Sequence, residues 1–344
     1  MNPRTKRILI NLLKFGVSGA IIGYLIYDAR QDNTFARLRD GQKQWGQLLL
    51  AGGCISSSIM LTFVRWHFLA RALQLKFGVR DALRLGFIGY LFNFVSLGSV
   101  GGDLFKAIFV AREQPGRRTA AVATVVIDRL VGLYAVVLVA AVATLATGLQ
   151  SSRVPEVRII CQGTLVAAVV GGLGLAVLVI PGFTTGALSE MVAGIPRIGR
   201  TLFGLVQAIR MYRKRPDILL LTGLMSIGIH CLTTLGIYLI ARGLPGNAPP
   251  LGQQFIAVPL AIVAGALPLP LNGLGAFEGV IEFLYVNLPG SDVARGQGLL
   301  VALAYRVITV LLAMVSAGVY LSSRREMDVV IHEAEELQEA EAAA

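Results

Sequence analysis

Four ionisable side chains stand inside runs that are otherwise apolar. Asp103 and Glu278 each follow a glycine-rich break, and an arginine follows each inside the next run. Arg129 is 26 residues after Asp103, and Arg306 is 28 after Glu278. Arg129 lies about ten residues into its run, which on a helix is about 15 Å of depth. Arg306 reaches a similar depth from the other end. A charge at the centre of a bilayer costs at least about 2.5–3.5 kcal/mol unless it is paired or hydrated. Arg129 is therefore expected to reach Asp103 or a ligand, and Arg306 to reach Glu278 or a ligand. Asp128 adjoins Arg129, but successive helix positions point about 100° apart and do not face each other. Glu282 lies one turn beyond Glu278 on the same face, and Tyr305 adjoins Arg306. Such a set can hold an anionic group through guanidinium forks and through helix N-termini at the breaks. It can equally form two structural ion pairs that pin the broken segments, and the two roles can coexist.

Other chemistry has little support. Phosphate-cradling GxxxxGK[ST] loops, HExxH and GxSxG elbows are absent from the sequence. The three histidines, His67, His230 and His332, are too scattered for a metal site, and Cys54, Cys161 and Cys231 sit in apolar runs without metal or redox spacing. No metal, cofactor or catalytic residue is expected, and the chain reads as a non-enzyme. The net charge of +11 fits basic loops facing anionic lipid heads better than nucleic acid.

The elements that must position these residues are membrane helices. Of 344 residues, 55% are hydrophobic and 15% charged, with a mean hydropathy of +0.70; an ordinary soluble domain carries about 25% charged residues. Six apolar runs, 8–27, 46–64, 119–147, 158–180, 218–241 and 298–321, are each long enough to cross about 30 Å of hydrocarbon. The first follows a basic start, as a signal peptide would, but lacks a clear cleavage site and reads as a retained span. Two further regions are interrupted. One breaks at Gly98-Ser99-Val100-Gly101-Gly102-Asp103, the other at Pro268-Leu269-Pro270-Leu271-Asn272-Gly273-Leu274-Gly275. Irregular backbone at membrane depth persists only inside protein or beside a water-filled cavity. Both regions therefore read as re-entrant hairpins, the alternative being kinked or paired short spans.

Loop charges orient the chain. With the N-terminus inside, twenty basic residues fall on the cytoplasmic side, Arg65 and Lys106 among them, against eight outside. That bias places both termini in the cytoplasm of a multi-pass protein of the cytoplasmic membrane. Each half then runs span, span, hairpin, span, from opposite sides. One shift of 171 residues aligns Leu49-Leu50-Ala51-Gly52 with Leu220-Leu221-Thr222-Gly223, Leu61-Thr62 with Leu232-Thr233, and Ala70-Arg71-Ala72-Leu73 with Ala241-Arg242-Gly243-Leu244. The expected architecture is an all-α integral membrane protein in one polytopic domain, 1–322. It comprises about six spans and two broken-helix hairpins in inverted halves, about 8–147 and 158–321, followed by an acidic cytoplasmic tail, 323–344. Inverted repeats with broken helices at the midplane are a transporter design. Gly19-xxx-Gly23 and Gly275-xxx-Gly279 suggest close helix packing. The stretch 196–215 reads as a basic loop or a surface amphipathic helix.

Gly101-Gly102-Asp103, Asp128-Arg129-Leu130, Pro268-Leu269-Pro270 with Gly273-Leu274-Gly275 and Glu278, and Tyr305-Arg306 together resemble one family across roughly residues 8–322. It is the flippase-like membrane domain of lysylphosphatidylglycerol synthases, which related stand-alone proteins share. Asn272 departs from the small residue usual before the second Gly-x-Gly. The resemblance implies movement of an aminoacylated or glycosylated lipid between leaflets, with membrane lipids as partners. The soluble aminoacyl-transferase domain of the synthases has no counterpart among these residues, so synthase activity is not implied. Three readings stand at this point: a lipid flippase, a membrane enzyme acting on lipid-linked sugars, and an accessory subunit whose broken helices only pack.

Overall fold

The computed structural model describes residues 19–27, 30, 34–95, 101–114, 116–179, 210–266, 274–290 and 292–322. Among them every regular element is helical. In chain order these are α1 (Thr34–Asp40), α2 (Trp45–Ala72), α3 (Val79–Val95), α4 (Gly101–Glu113), α5 (Arg118–Thr147), α6 (Pro155–Val179), α7 (Pro216–Gly243), α8 (Leu251–Gly265), α9 (Ala276–Asn287) and α10 (Gln297–Ser322). Residues 19–27 are also helical. Five helices, α2, α5, α6, α7 and α10, are long and apolar enough to cross a membrane. Their outward faces carry Leu49, Val142, Ile159, Leu220 and Leu311, all exposed, as a surface solvated by lipid requires.

Local chemistry sets the boundaries. Pro216 opens α7, where its missing N–H would have no partner in any case. Gly148 closes α5 in the left-handed region, φ +71°, and donates to the Thr144 carbonyl. The arms of the interrupted regions are short: α3 and α4 have 17 and 13 residues, α8 and α9 have 15 and 12. A full crossing takes about 17–25 residues, so α8 and α9, whose ends are both described, fall short of a span, whereas α3 ends and α4 begins at the edge of the described residues.

The order α2–α5 is repeated by α7–α10. Helix lengths run 28, 17, 13 and 30 in the first set and 28, 15, 12 and 26 in the second. Packing follows the same parallel. Consecutive helices touch within each set, α3 packs on α10 as α8 packs on α5, and α2 lies along α7 at the centre. Glycines permit that central approach: a Cβ at Gly236 would meet Ile55 Cγ1 at 2.8 Å, and one at Gly243 would meet Leu48 Cδ2 at 2.8 Å.

Two expectations change. The second span does not end before Arg65: α2 continues through Ala72, with Arg65, Trp66 and His67 buried. Arg65 and Lys106 are thus interior charges, not cytoplasmic ones, and the inside tally falls to eighteen, still well above eight. Gly101 and Gly102 are the first turn of α4, not a preceding turn. Helix tolerates glycine there because α3 crosses at that point: a Cβ on Gly102 would fall 2.0 Å from the Gly89 carbonyl oxygen. Close helix approach is seen at Gly86, Gly89 and Gly102, and a Cβ at Gly279 would meet Ile21 at 3.7 Å; the residues that precede Gly19 and Gly23 lie outside the described ones. Outside the described residues lie most of the first span, the breaks at 98–100 and 268–273 with Pro268, Pro270 and Gly273, most of 196–215, and the acidic tail.

Candidate functional site

A cavity of about 310 Å³ opens where the two sets of helices meet. α2 lends it Arg65, α3 Tyr90 and Asn93, α4 Asp103 and Lys106, α5 Asp128 and Arg129, α7 His230, and α10 Tyr305 and Arg306. Asp103, Asp128, Arg129 and Arg306, picked out in the sequence, therefore converge on one space, although they are spread over more than 200 positions; Glu278 lies behind Arg306 and does not line it.

Each short arm after a break starts with a carboxylate in its first turn. Asp103 occupies the first turn of α4 and Glu278 the first turn of α9, where the helix dipole favours a negative charge. Gly275 stands before α9 with φ +94°, a conformation glycine adopts without steric cost. Its N–H donates to Glu278 Oε2 at 2.7 Å. The other oxygen, Oε1, accepts from Arg306 Nε at 3.0 Å and Nη2 at 2.6 Å. Glu278 has 0% side-chain exposure and Arg306 14%. In the first set, Arg129 Nε donates to Asp103 Oδ2, and Lys106 Nζ stands 3.8 Å from Asp103 Oδ1. The Arg129 side chain is 35% exposed, so this pair is wetter than its counterpart.

Asp128 has a different partner. Arg65 Nε donates to Asp128 Oδ1 at 2.9 Å, Nη2 to the Asp128 carbonyl at 3.2 Å, and Nη1 to Ser226 Oγ at 2.7 Å. One buried guanidinium thus ties α2, α5 and α7 together. Gly132, one turn on from Asp128, leaves it room: a Cβ there would sit 3.2 Å from Arg65 Nη1. A turn beyond Ser226 on α7, His230 Nε2 lies 3.0 Å from the Gly132 carbonyl. A carbonyl can only accept, so Nε2 carries the proton. Lys106 lies over the rings of Trp66 and Phe63, 5.4 and 5.9 Å from their centroids, contacts that help hold a desolvated cation. Tyr305 packs against Phe277, ring centroids 5.1 Å apart.

The two sets are alike in their carboxylate–arginine pairs and unlike around them. Three residues after Asp103 comes Lys106; three after Glu278 comes the apolar Ile281. Arg65, Lys106, Arg129 and Arg306 face Asp103, Asp128 and Glu278, which leaves one positive charge in excess. Glu282 stays out of this group. Its carboxylate accepts from Gly296 N at 2.6 Å and Leu299 N at 2.9 Å, capping the start of α10. Among the described residues no cluster of histidine, cysteine and carboxylate could hold a metal.

Sequence reasoning missed Arg65, Lys106, Ser226 and His230. Arg65 had one legible signal: Ser58, Thr62 and Arg65 are spaced to share a helix face. Lys106 shares the face of Asp103 at i+3.

A sequence model of the family described as the lysylphosphatidylglycerol synthase TM region matches residues 11–317. No curated protein matches the chain.

Proposed function

The chain belongs to the lysylphosphatidylglycerol synthase TM-region family, and from that premise we propose that it is a flippase moving a phospholipid or lipid-linked sugar between leaflets. The observation that carries this reading is the convergence of Asp103, Arg129 and Arg306, the last held from behind by the buried Glu278, on one polar cavity with a positive excess. A lipid head enters that cavity while its tails stay in hydrocarbon. Arg129 and Arg306 take the phosphate, since a guanidinium fork matches two phosphate oxygens. Asp103 and Glu278 hold those guanidiniums between turnovers. Binding then exchanges one anion for another at each guanidinium, and the released carboxylate takes up a proton, so that neither charge stands bare at membrane depth, which would be costly.

The matching order and packing of α2–α5 and α7–α10 support an inverted repeat. In this reading the two short-armed regions are re-entrant, and exchanging the conformations of the two halves exposes the cavity to each leaflet in turn. The protein sits in the cytoplasmic membrane with both termini inside, and it performs no chemical step of its own.

The test is reconstitution of purified protein with fluorescent phospholipids and polyprenyl-phosphate sugars. The readout is the fraction of label reachable by a membrane-impermeant quencher. Faster exposure of one lipid class, lost in Arg129→Ala and Glu278→Gln, is the expected result. No acceleration of any class by correctly folded protein would sink the reading and favour an accessory or enzymatic role.

A further inference from the structure

The cations of the polar cavity outnumber its carboxylates. Arg65, Lys106, Arg129 and Arg306 line it, against Asp103 and Asp128; Glu278, behind Arg306, brings the anions to three. Each carboxylate already meets a guanidinium. Asp128 Oδ1 accepts from Arg65 Nε at 2.9 Å, and Asp103 Oδ2 accepts from Arg129 Nε. Glu278 divides its two oxygens between the Gly275 N–H and Arg306.

Lys106 is the cation that makes the excess. The three arginines each hold one carboxylate, whereas Lys106 is an added charge beside Asp103, 3.8 Å from Oδ1. It is only 8% exposed. Its ammonium lies over the rings of Trp66 and Phe63, and its stem fills a notch in α3, where a Cβ at Gly89 would fall 2.7 Å from Lys106 Cε. The charge is thus fixed in the cavity wall, not free to swing into water.

That wall restricts what a lipid head can carry. A phosphodiester brings one negative charge, which cancels the excess. A head that also bears an ammonium cancels nothing, and its ammonium needs an anion of its own. Asp103 is the carboxylate beside Arg129, and Lys106 already stands there as a competitor. A released carboxylate that takes up a proton offers an ammonium no charge at all. The aromatic wall is engaged as well: Lys106 covers Trp66 and Phe63, and Tyr305 packs against Phe277. An ammonium among these cations meets repulsion that a desolvated site screens poorly. We infer that the cavity selects a lipid head with one phosphodiester, a single net negative charge and no ammonium: a glycerol or sugar phosphodiester, not an ethanolamine or aminoacyl one. The movement of that lipid rests on the transport reading above; the selectivity rests on the charges of the wall.

Alanyl-phosphatidylglycerol and its N-acetyl form separate charge from bulk, because the acetyl group removes the ammonium and keeps the size. The full chain is reconstituted in phosphatidylcholine vesicles with acyl-labelled versions of both, of phosphatidylglycerol, of phosphatidylethanolamine and of a glucosyl-phosphoryl-polyprenol. Movement is read with an impermeant quencher, and binding as the rise in unfolding temperature when each lipid is added in detergent. Phosphatidylglycerol and the N-acetyl form are expected to move about tenfold faster than alanyl-phosphatidylglycerol and phosphatidylethanolamine, and to stabilise the protein more. The faster of phosphatidylglycerol and the glucosyl lipid names the head as glycerol or sugar, and either supports the class. Lys106→Met, which removes the excess, is expected to narrow the gap between the alanyl and N-acetyl forms to about threefold. An unchanged gap in folded Lys106→Met overturns the assignment to this wall. Alanyl and N-acetyl forms moved and bound alike by the wild type overturn the inference without any variant and leave the flippase reading standing. Selective stabilisation with no movement of any lipid sinks the flippase reading alone. Neither movement nor selective stabilisation overturns both.

Discussion

Arg306 aims two of its nitrogens at a single oxygen of Glu278, while the other oxygen of that carboxylate is taken by the Gly275 N–H. The carboxylate thus joins the start of α9 to the middle of α10, with no side-chain surface exposed. A buried pair of this kind is costly to break from one side, because the surviving charge keeps its desolvation without its partner.

Glu278→Ala is therefore expected to lose about 3–5 kcal/mol of stability, and Arg306→Ala a similar amount. The double substitution removes both charges and should lose clearly less than the two single losses added together. Thermal unfolding in detergent across the four proteins measures the coupling. Additive losses would mean that the pair does not act as a unit.

Arg65 gives a second prediction. Arg65→Lys keeps the charge but not the fork that reaches Asp128 twice and Ser226 once. The variant should fold and yet transport at least tenfold more slowly, because α2, α5 and α7 are no longer held in register around the cavity. Asp128→Asn should resemble it. Ser226→Ala removes one of three contacts and should have a milder effect. The readout is the quencher assay on protein that elutes as wild type from size exclusion. Wild-type rates for Arg65→Lys would reduce that residue to packing.

Gly102 supplies a third. A Cβ there would lie 2.0 Å from the Gly89 carbonyl oxygen and 2.7 Å from Asn93 Oδ1, so Gly102→Ala must push α4 away from α3. It also strains the hydrogen bond that Gly102 N donates to Asn93 Oδ1 at 3.0 Å. Overpacking of this sort costs about 1–3 kcal/mol, read as a lower unfolding temperature. Gly52→Ala, whose Cβ meets nothing within 4 Å, is the control and should be neutral. Equal behaviour of the two would show that α3 and α4 do not cross in close contact at Gly102.

What the sequence disclosed and what it hid divide along physical lines. Spans were legible because lipid demands long apolar runs, and the pairs Asp103–Arg129 and Glu278–Arg306 because each carboxylate follows a glycine-rich break and each arginine lies deep in the apolar run that comes next. Arg65 and Lys106 escaped because each stands near other basic residues, Arg71 and Lys76 after one and Arg112 after the other. A cation at the end of an apolar run looks like a loop charge until tertiary packing buries it. Ser226 and His230 carried no signal at all; their roles arise from α7 lying against α2 and α5, a contact between residues more than 90 positions apart.

Topology gives a fourth prediction. Lys76 and Arg242 are both exposed, one just after α2 and the other at the end of α7. In an inverted repeat these matching ends lie on opposite sides of the membrane. After replacement of Cys54, Cys161 and Cys231, Lys76→Cys should be labelled by an impermeant maleimide only from the cytoplasmic side. Arg242→Cys should be labelled only from the other. Labelling of both from one side would rule the inverted arrangement out.

The two glutamates of α9 give the last. Glu278 and Glu282 stand one turn apart on α9 and are both buried. Glu278 meets a cavity arginine, whereas Glu282 receives the Gly296 and Leu299 N–H groups at the start of α10. The carboxylate gives one oxygen to each N–H, Oε1 to Gly296 and Oε2 to Leu299, and an amide keeps one acceptor of the two. Glu282→Gln should therefore cost less than Glu282→Ala, which strands two buried N–H groups at roughly 1.5–3 kcal/mol. Once folded, Glu282→Gln should move lipid at close to the wild-type rate. Glu278→Gln removes the counter-charge of Arg306 and should lose transport even in samples that unfold normally. Parallel unfolding and quencher measurements on the three variants separate the roles. Equal loss of transport in Glu282→Gln and Glu278→Gln would place both carboxylates in the transport machinery and overturn the assignment of Glu282 as a cap.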